Sequence, residues 1–165
     1  MSAATTLVVV CIGNVCRSPM AEALFRARLP DVDVQSAGLG ALVGQPADPH
    51  AVALMRERGL DIAAHRARQL PAWLATRADL ILTMDSGQTR GISHRYPHLR
   101  GRVFRLGDGA PHGFDVPDPH LGTRASFERS LALIERGIAG WCARIAPDAP
   151  PDGTSPSAPS PRLPD

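Results

Sequence analysis

Apolar and polar positions along the chain switch repeatedly between strand-like runs and helical spacing. The run "TTLVVVCI" at residues 5–12 is almost wholly apolar and reads as a strand buried on both faces. In "SPMAEALFRARL", Met20, Ala23, Leu24 and Ala27 recur at helical intervals, with Ser18 set to cap the helix and Pro19 in its first turn. "VDVQSAG" (32–38) predicts a short second strand ending in a glycine turn, and "DPHAVALMRERG" (48–59) a helix capped by Asp48 and stopped by Gly59. "PAWLATR" (71–77) gives a helical turn or two before "DLILTM" (79–84), the clearest strand after the first. "DSGQTRGISHRY" is a weaker helix that ends at Pro97, "GRVFRLG" (101–107) a fourth strand, and "GFDVPDPHLG" (113–122) a loop. From Thr123 to Ile145 a long helix carries Phe127, Leu131, Ile134, Ile138 and Trp141 on one face.

Strands alternating with helices predict an α/β fold: a four-stranded parallel sheet with helices on both faces. In such sheets a site lies beyond the carboxyl ends of the strands, where the winding reverses. The segment Cys11–Ser18 sits there, directly after the first strand and at the start of the first helix. Residues 1–146 are expected to form one domain, and residues 147–165, rich in Pro, Ala, Ser and Asp without apolar periodicity, a disordered tail.

Composition narrows the function classes. A net charge of +2 argues against nucleic acid as partner, and all 18 basic residues counted as Lys or Arg are arginine, from which nothing functional follows. No segment approaches the roughly 18 apolar residues of a membrane span. "TLVVVCI" lacks the basic flank and cleavage site of a signal peptide. Three cysteines make a poor disulfide framework, so a reduced, cytoplasmic setting is expected.

The segment between strand and helix has the makings of a phosphate-binding loop. Backbone N–H groups of Ile12, Gly13, Asn14, Val15, Cys16 and Arg17 can wrap an anion at a helix N-terminus. Gly13 permits close approach, and Asn14 tolerates a left-handed conformation. Arg17 brings a planar fork suited to two phosphate oxygens. Cys11, at the floor, has the helix dipole, the amides and Arg17 to stabilise negative charge on its sulfur, and Ser18 can donate a hydrogen bond to it. Taken as residues alone, Cys11 and Cys16 read equally as buried structural thiols. As half of a zinc site they lack a second Cys/His pair at suitable spacing.

The full string "VCIGNVCRSPMAE" resembles the signature of the low-molecular-weight protein tyrosine phosphatases, and the likeness runs over about residues 5–145. "SAGLGALVGQPADPHA" is similar to the bacterial subgroup associated with exopolysaccharide and capsule tyrosine kinases. "HRARQL", "DLILTMD" and "DVPDPH" also match the family. The resemblance implies Cys11 as nucleophile, Arg17 as phosphate clamp, Ser18 as thiolate stabiliser and Asp118 as general acid. It implies a network in which Ser36 and His65 hold Asn14, and a Cys16 able to form a reversible disulfide with Cys11. No metal or cofactor is implied. The implied substrate is a phosphotyrosine protein, for this subgroup a membrane-bound tyrosine autokinase.

Residue chemistry leaves some of these assignments open. Expelling a phenol with a pKa near 10 benefits from a proton donor, a role open on the residues to Asp118 or Asp115, and only the resemblance selects Asp118. His65 reads as a proton relay or as a hydrogen-bonding residue that shapes the loop. His94 and His98 are expected at the surface, and Cys142, Trp73 and Trp141 in packing. Family members usually carry an aromatic where this chain has His120, and many carry one on the opposite wall, where the run Leu39–Val43 is aliphatic. Two other functions fit parts of the pattern. An arsenate reductase of the same fold would need further relay cysteines, and "TMDSGQTRG" has none. An inactive phosphoprotein-binding module would have lost Cys11, Arg17 or Asp118, and all three are present.

Overall fold

The computed structural model describes residues 5–149, so the expected tail lies outside the described residues apart from positions 147–149. Four strands, β1 (Thr6–Cys11), β2 (Asp33–Gly38), β3 (Leu80–Thr83) and β4 (Val103–Arg105), form one sheet in the order β2-β1-β3-β4. All three pairings are parallel. The five α-helices are α1 (Arg17–Arg28), α2 (Pro49–Glu57), α3 (Ala72–Arg77), α4 (Ser86–Arg95) and α5 (Arg124–Ile145).

Every residue of β1 is buried, as a central parallel strand requires. Its side chains alternate between two cores. Leu7, Val9 and Cys11 face a layer built by α1, α2 and α5, where Met20, Phe25, Leu54, Met55, Phe127 and Ile134 pack together. Val8 and Val10 face a second, smaller layer with Leu74 and Ala75 of α3 and Ile92 of α4. The expected stripe on α5 is buried in full, Trp141 included, and Trp141 Nε1 donates to the carbonyls of Arg105 and Leu106. Cys142 lies in the same core. Helix α5 sits so close to the turn Leu106–Gly109 that a Cβ on Gly140 would strike the Gly109 carbonyl oxygen.

Three local expectations are corrected. Ser18 does not cap α1: the cap lies two residues earlier, at Cys16, which makes no side-chain capping bond, and the Ser18 hydroxyl turns to the Cys11 sulfur. Strand β4 holds three residues rather than seven, because the Asp108 carboxylate accepts the Arg105 N–H and turns the chain into a 3₁₀ helix. Trp73 does not pack. In six-residue α3 the buried face is taken by Leu74 and Ala75, which leaves Trp73 58 % exposed. His94 and His98 are on the surface. Among the described residues no helix is long and apolar enough to cross a membrane.

The sheet order fixes where a ligand can sit. From β1 the chain crosses to β2 on one side, then returns past β1 to β3 on the other. The loop after β1 therefore opens at the reversal point, beyond the carboxyl ends of the strands.

Candidate active site

Residues 12–16 join β1 to α1 as a tight loop, and the carbonyls of residues 11–15 are all engaged by other segments. The oxygen of Cys11 accepts from Leu39 N–H, that of Ile12 from Gly40, that of Gly13 from Leu42 and that of Val15 from Asp48, at 2.8–3.0 Å. The Asn14 oxygen is bonded by His65 Nε2 at 2.7 Å. In a trans peptide the N–H points opposite to the C=O, so outward oxygens leave the loop's N–H groups facing inward. Together with the N-terminus of α1 they make an anion cradle. This closeness requires Gly38 at the end of β2, because a Cβ there would collide with the Ile12 oxygen.

Asn14 holds the loop in shape. It lies in the left-handed region at φ 58° and is fully buried. Its Nδ2 donates to Ser18 Oγ at 2.8 Å and to Ser36 Oγ at 3.1 Å, while its Oδ1 accepts from Arg68 N–H at 2.9 Å. With the carbonyl bond to His65 and the N–H donated to Cys11 Sγ, five partners fix one residue. His65 Nδ1 lies 4.0 Å from Glu22 Oε1. Arg68 escaped the sequence reading. Its guanidinium also donates to the Ser36 carbonyl at 3.0 Å and to Gln35 Oε1 at 2.6 Å. The only pointer to it in sequence is its place in "HRARQL", three residues after His65.

Asn14→Ala is expected to lower kcat/KM on an aryl phosphate by about 10–100-fold, since a loop displaced by an ångström misplaces every donor. It should also cost about 2 kcal/mol of stability from strain and unpaired groups. Asn14→Gly relieves the strain but not the lost bonds. Kinetics and urea midpoints of the two variants separate the terms, and full activity in Asn14→Gly would show that the side chain does not position the loop.

At the cradle's floor Cys11 is 2 % exposed, and its Sγ lies 2.9 Å from Ser18 Oγ and accepts the Asn14 N–H at 3.3 Å. Arg17 is equally buried. Its Nη1 donates to the Val116 carbonyl at 2.8 Å, its Nη2 lies 3.6 Å from Asp118 Oδ2, and its Nε has no partner among the described residues. A buried guanidinium N–H without a partner is costly unless an anion takes it.

Asp118 and Asp115 part company in the structure. Asp118 borders the cleft with its side chain half exposed, and its Oδ1 accepts the His120 N–H at 3.0 Å. Asp115 turns away to Arg105 Nη1 at 3.0 Å and the Ser86 N–H at 3.1 Å. Cys16 is buried, and its thiol is pushed up to about 12 by burial and then by negative charge at Asp48, Cys11 and Asp118, with Arg17 opposing. It stays protonated at neutral pH.

These groups enclose a cleft of about 120 Å³. Cys11 and Arg17 lie in it, Leu42 and Gly40 form one wall and Asp118 and His120 the other. Of the aliphatic run, Leu42 reaches the cleft while Val43 projects outward, 68 % exposed. Of the residues singled out in sequence, Cys11, Ile12, Gly13, Val15, Cys16, Arg17 and Asp118 line the cleft, while Asn14 and Ser18 do not line it but bond to each other, Ser18 to Cys11 and Asn14 to Ser36 and His65. The size suits a phosphoryl group and the start of its substituent.

Known proteins resemble this chain in sequence and fold. The family model for low molecular weight phosphotyrosine protein phosphatase matches residues 6–150. The probable low molecular weight protein-tyrosine-phosphatase EpsP of Ralstonia solanacearum is 54 % identical over 140 residues, covering 85 % of this chain and 95 % of the relative. The structure of Vibrio vulnificus Wzb in complex with benzylphosphonate aligns with a TM-score of 0.81 at 32 % identity, covering 86 % of this chain and 99 % of that one. A Cys-to-Ser mutant of a YwlE arginine phosphatase, with a phosphorylated active site serine, aligns with a TM-score of 0.81 at 30 % identity, covering 87 % and 97 %. With the match running from the first residue of β1 past the end of α5, and relatives of more than half identity along nearly their whole length, the chain belongs to the low molecular weight phosphotyrosine protein phosphatase family.

Proposed function

We propose that this protein-tyrosine-phosphatase hydrolyses phosphotyrosine in two displacement steps through a phosphocysteine at Cys11. The observation that carries the reading is the loop whose carbonyls, from Cys11 to Val15, are all taken by other segments while the Asn14 N–H donates to the Cys11 sulfur at 3.3 Å. In the first step Cys11 Sγ attacks phosphorus and the P–O bond to the phenol breaks. Arg17 and the loop amides hold the non-bridging oxygens and stabilise the charge that develops on them. Asp118 gives its proton to the departing phenol oxygen. In the second step Asp118 takes a proton from water, the water oxygen attacks phosphorus, and the P–S bond breaks. Ser18 Oγ, 2.9 Å from the sulfur, then stabilises the leaving thiolate.

The phosphorylated serine in the mutant relative supports a covalent intermediate at the corresponding position. Benzylphosphonate, bound in Vibrio vulnificus Wzb, joins its ring to phosphorus through one methylene, where an aryl phosphate ester has oxygen. Likeness to protein-tyrosine-phosphatases EpsP and Wzb supports a phosphotyrosine protein as substrate, and the resemblance of residues 36–51 to the exopolysaccharide-associated subgroup extends the proposal to a tyrosine autokinase of exopolysaccharide export. An arsenate reductase would need a cysteine relay from this cleft. Of the three cysteines, Cys142 is sealed in the α5 core, which leaves Cys16 alone.

The test is phosphate release from matched peptides carrying phosphotyrosine, phosphoserine or phosphoarginine, with chelator and reductant present. Release from phosphotyrosine at least about 100-fold faster than from the other two is expected. Faster release from phosphoarginine, the activity named for the YwlE relative, would overturn the proposed substrate while keeping the family.

A further inference from the structure

Beside the cleft stands a second cluster that the proposed hydrolysis does not use. Cys16 Sγ, a carboxylate oxygen of Asp48 and a ring nitrogen of His120 all lie within 4.8 Å of one another. Cys16 Sγ and His120 Nδ1 are 3.8 Å apart, brought together across 104 positions of sequence. Spacing along the chain set a zinc site aside because no second Cys/His pair follows Cys16. That test cannot reach ligands which only the fold assembles.

We propose that Cys16, Asp48 and His120 bind one Zn²⁺ ion at the mouth of the cleft, and that the ion holds the enzyme inactive by tying the Asp118 loop to the phosphate loop. Around a tetrahedral zinc, neighbouring S, N and O ligands stand roughly 3.4–3.6 Å apart, so small side-chain rotations close the triangle. A mixed sulfur, nitrogen and oxygen set suits zinc and disfavours Mg²⁺ and Ca²⁺, which take oxygen ligands. A Cys16 thiolate and the Asp48 carboxylate together neutralise the dication, and the thiol proton leaves to solvent as the metal–sulfur bond forms. Three protein ligands leave the fourth position for water or an oxygen of a bound phosphate.

One of the ligands is already fixed. Asp48 N–H is bonded to the Val15 carbonyl at 2.8 Å, and the Asp48 Oδ1 accepts the His50 N–H at 2.9 Å as the cap of α2. That bond orients the carboxylate and leaves its second oxygen available. His120 is exposed and completes the set from the opposite wall. Because His120 N–H donates to Asp118 Oδ1, an ion that pins His120 also pins the proposed acid. The inhibitory half rests on the phosphatase reading, while the metal site itself does not.

Binding is therefore read on the metal-free Cys11→Ser chain, in which turnover plays no part. Titration with Co²⁺ is expected to give a thiolate-to-metal charge-transfer band and intense tetrahedral d–d bands at one equivalent, both missing in Cys11→Ser/Cys16→Ser. By calorimetry Zn²⁺ should bind the wild type and Cys11→Ser alike, and about tenfold or more weaker after His120→Phe or Asp48→Asn, the latter keeping the helix cap. Absence of the cobalt band, or a Zn²⁺ affinity unmoved by His120→Phe, would overturn the site. Loss of Zn²⁺ binding in Cys11→Ser would place the ion on Cys11 instead. Hydrolysis by the wild type should fall with the calorimetric midpoint, and His120→Phe should raise that midpoint by the same factor. Binding without inhibition would overturn the regulatory half alone.

Discussion

Cys11→Ser is expected to lower kcat on phosphotyrosine by about four orders of magnitude or more, the largest single effect of any substitution in this chain. A serine hydroxyl is far less ionised than a thiol at neutral pH, and its alkoxide is a much poorer leaving group from phosphorus. Both steps of the proposed cycle suffer. The cradle itself is built mainly from the carbonyl bonds of residues 11–15 and from Asn14, to which the Cys11 side chain adds the Asn14 N–H and Ser18 contacts that a serine hydroxyl can also make. Inorganic phosphate should therefore bind Cys11→Ser within a few-fold of wild type by calorimetry, and urea unfolding should change little. Slow accumulation of one phosphoryl group per chain, read by mass spectrometry, would match the trapped serine of the YwlE relative. Activity within about tenfold of wild type would end the phosphocysteine mechanism.

Asp118→Asn carries the second large effect, and its signature lies in the leaving group. The amide keeps the shape of the loop and can still accept the His120 N–H, but it has no proton to give. Loss of a general acid costs about 10²–10⁴-fold when the leaving group is a phenol with a pKa near 10. A dinitrophenyl phosphate, whose phenolate departs unaided, should lose less than about tenfold in its first step. The expected result is a steep dependence of kcat on leaving-group acidity in the variant and a shallow one in the wild type. Equal losses on both substrates would reassign Asp118 to orienting Arg17, from which it stands 3.6 Å away. Asp115→Asn is the control. Its partners are Arg105 and the Ser86 N–H, so it should leave the leaving-group dependence unchanged.

Much of this protein is legible residue by residue because its decisive signals are local. An apolar run, a turn and a helical pattern within about twenty residues place Cys11, Asn14 and Arg17 on one strand–loop–helix unit. The four strands and five helices follow from the same kind of short-range pattern. Where local reading failed, tertiary demand outweighed it. Ser18 has good capping chemistry but spends its hydroxyl on the Cys11 sulfur and the Asn14 amide. Trp73 has the bulk for a core, but α3 offers its buried face to Leu74 and Ala75.

The fold class, the order of the elements and the position of the loop after β1 are written in contiguous stretches, whose period and turn residues act at short range. Packing of distant segments places Asp118 rather than Asp115 at the cleft, bonds Arg17 to a carbonyl 99 positions away, engages the loop's oxygens and sets Cys16, Asp48 and His120 together. Those contacts join segments far apart in the chain. They form only after sheet and helices have packed, when the entropy of closing long loops has been offset by burial of the two cores, and no local pattern encodes them.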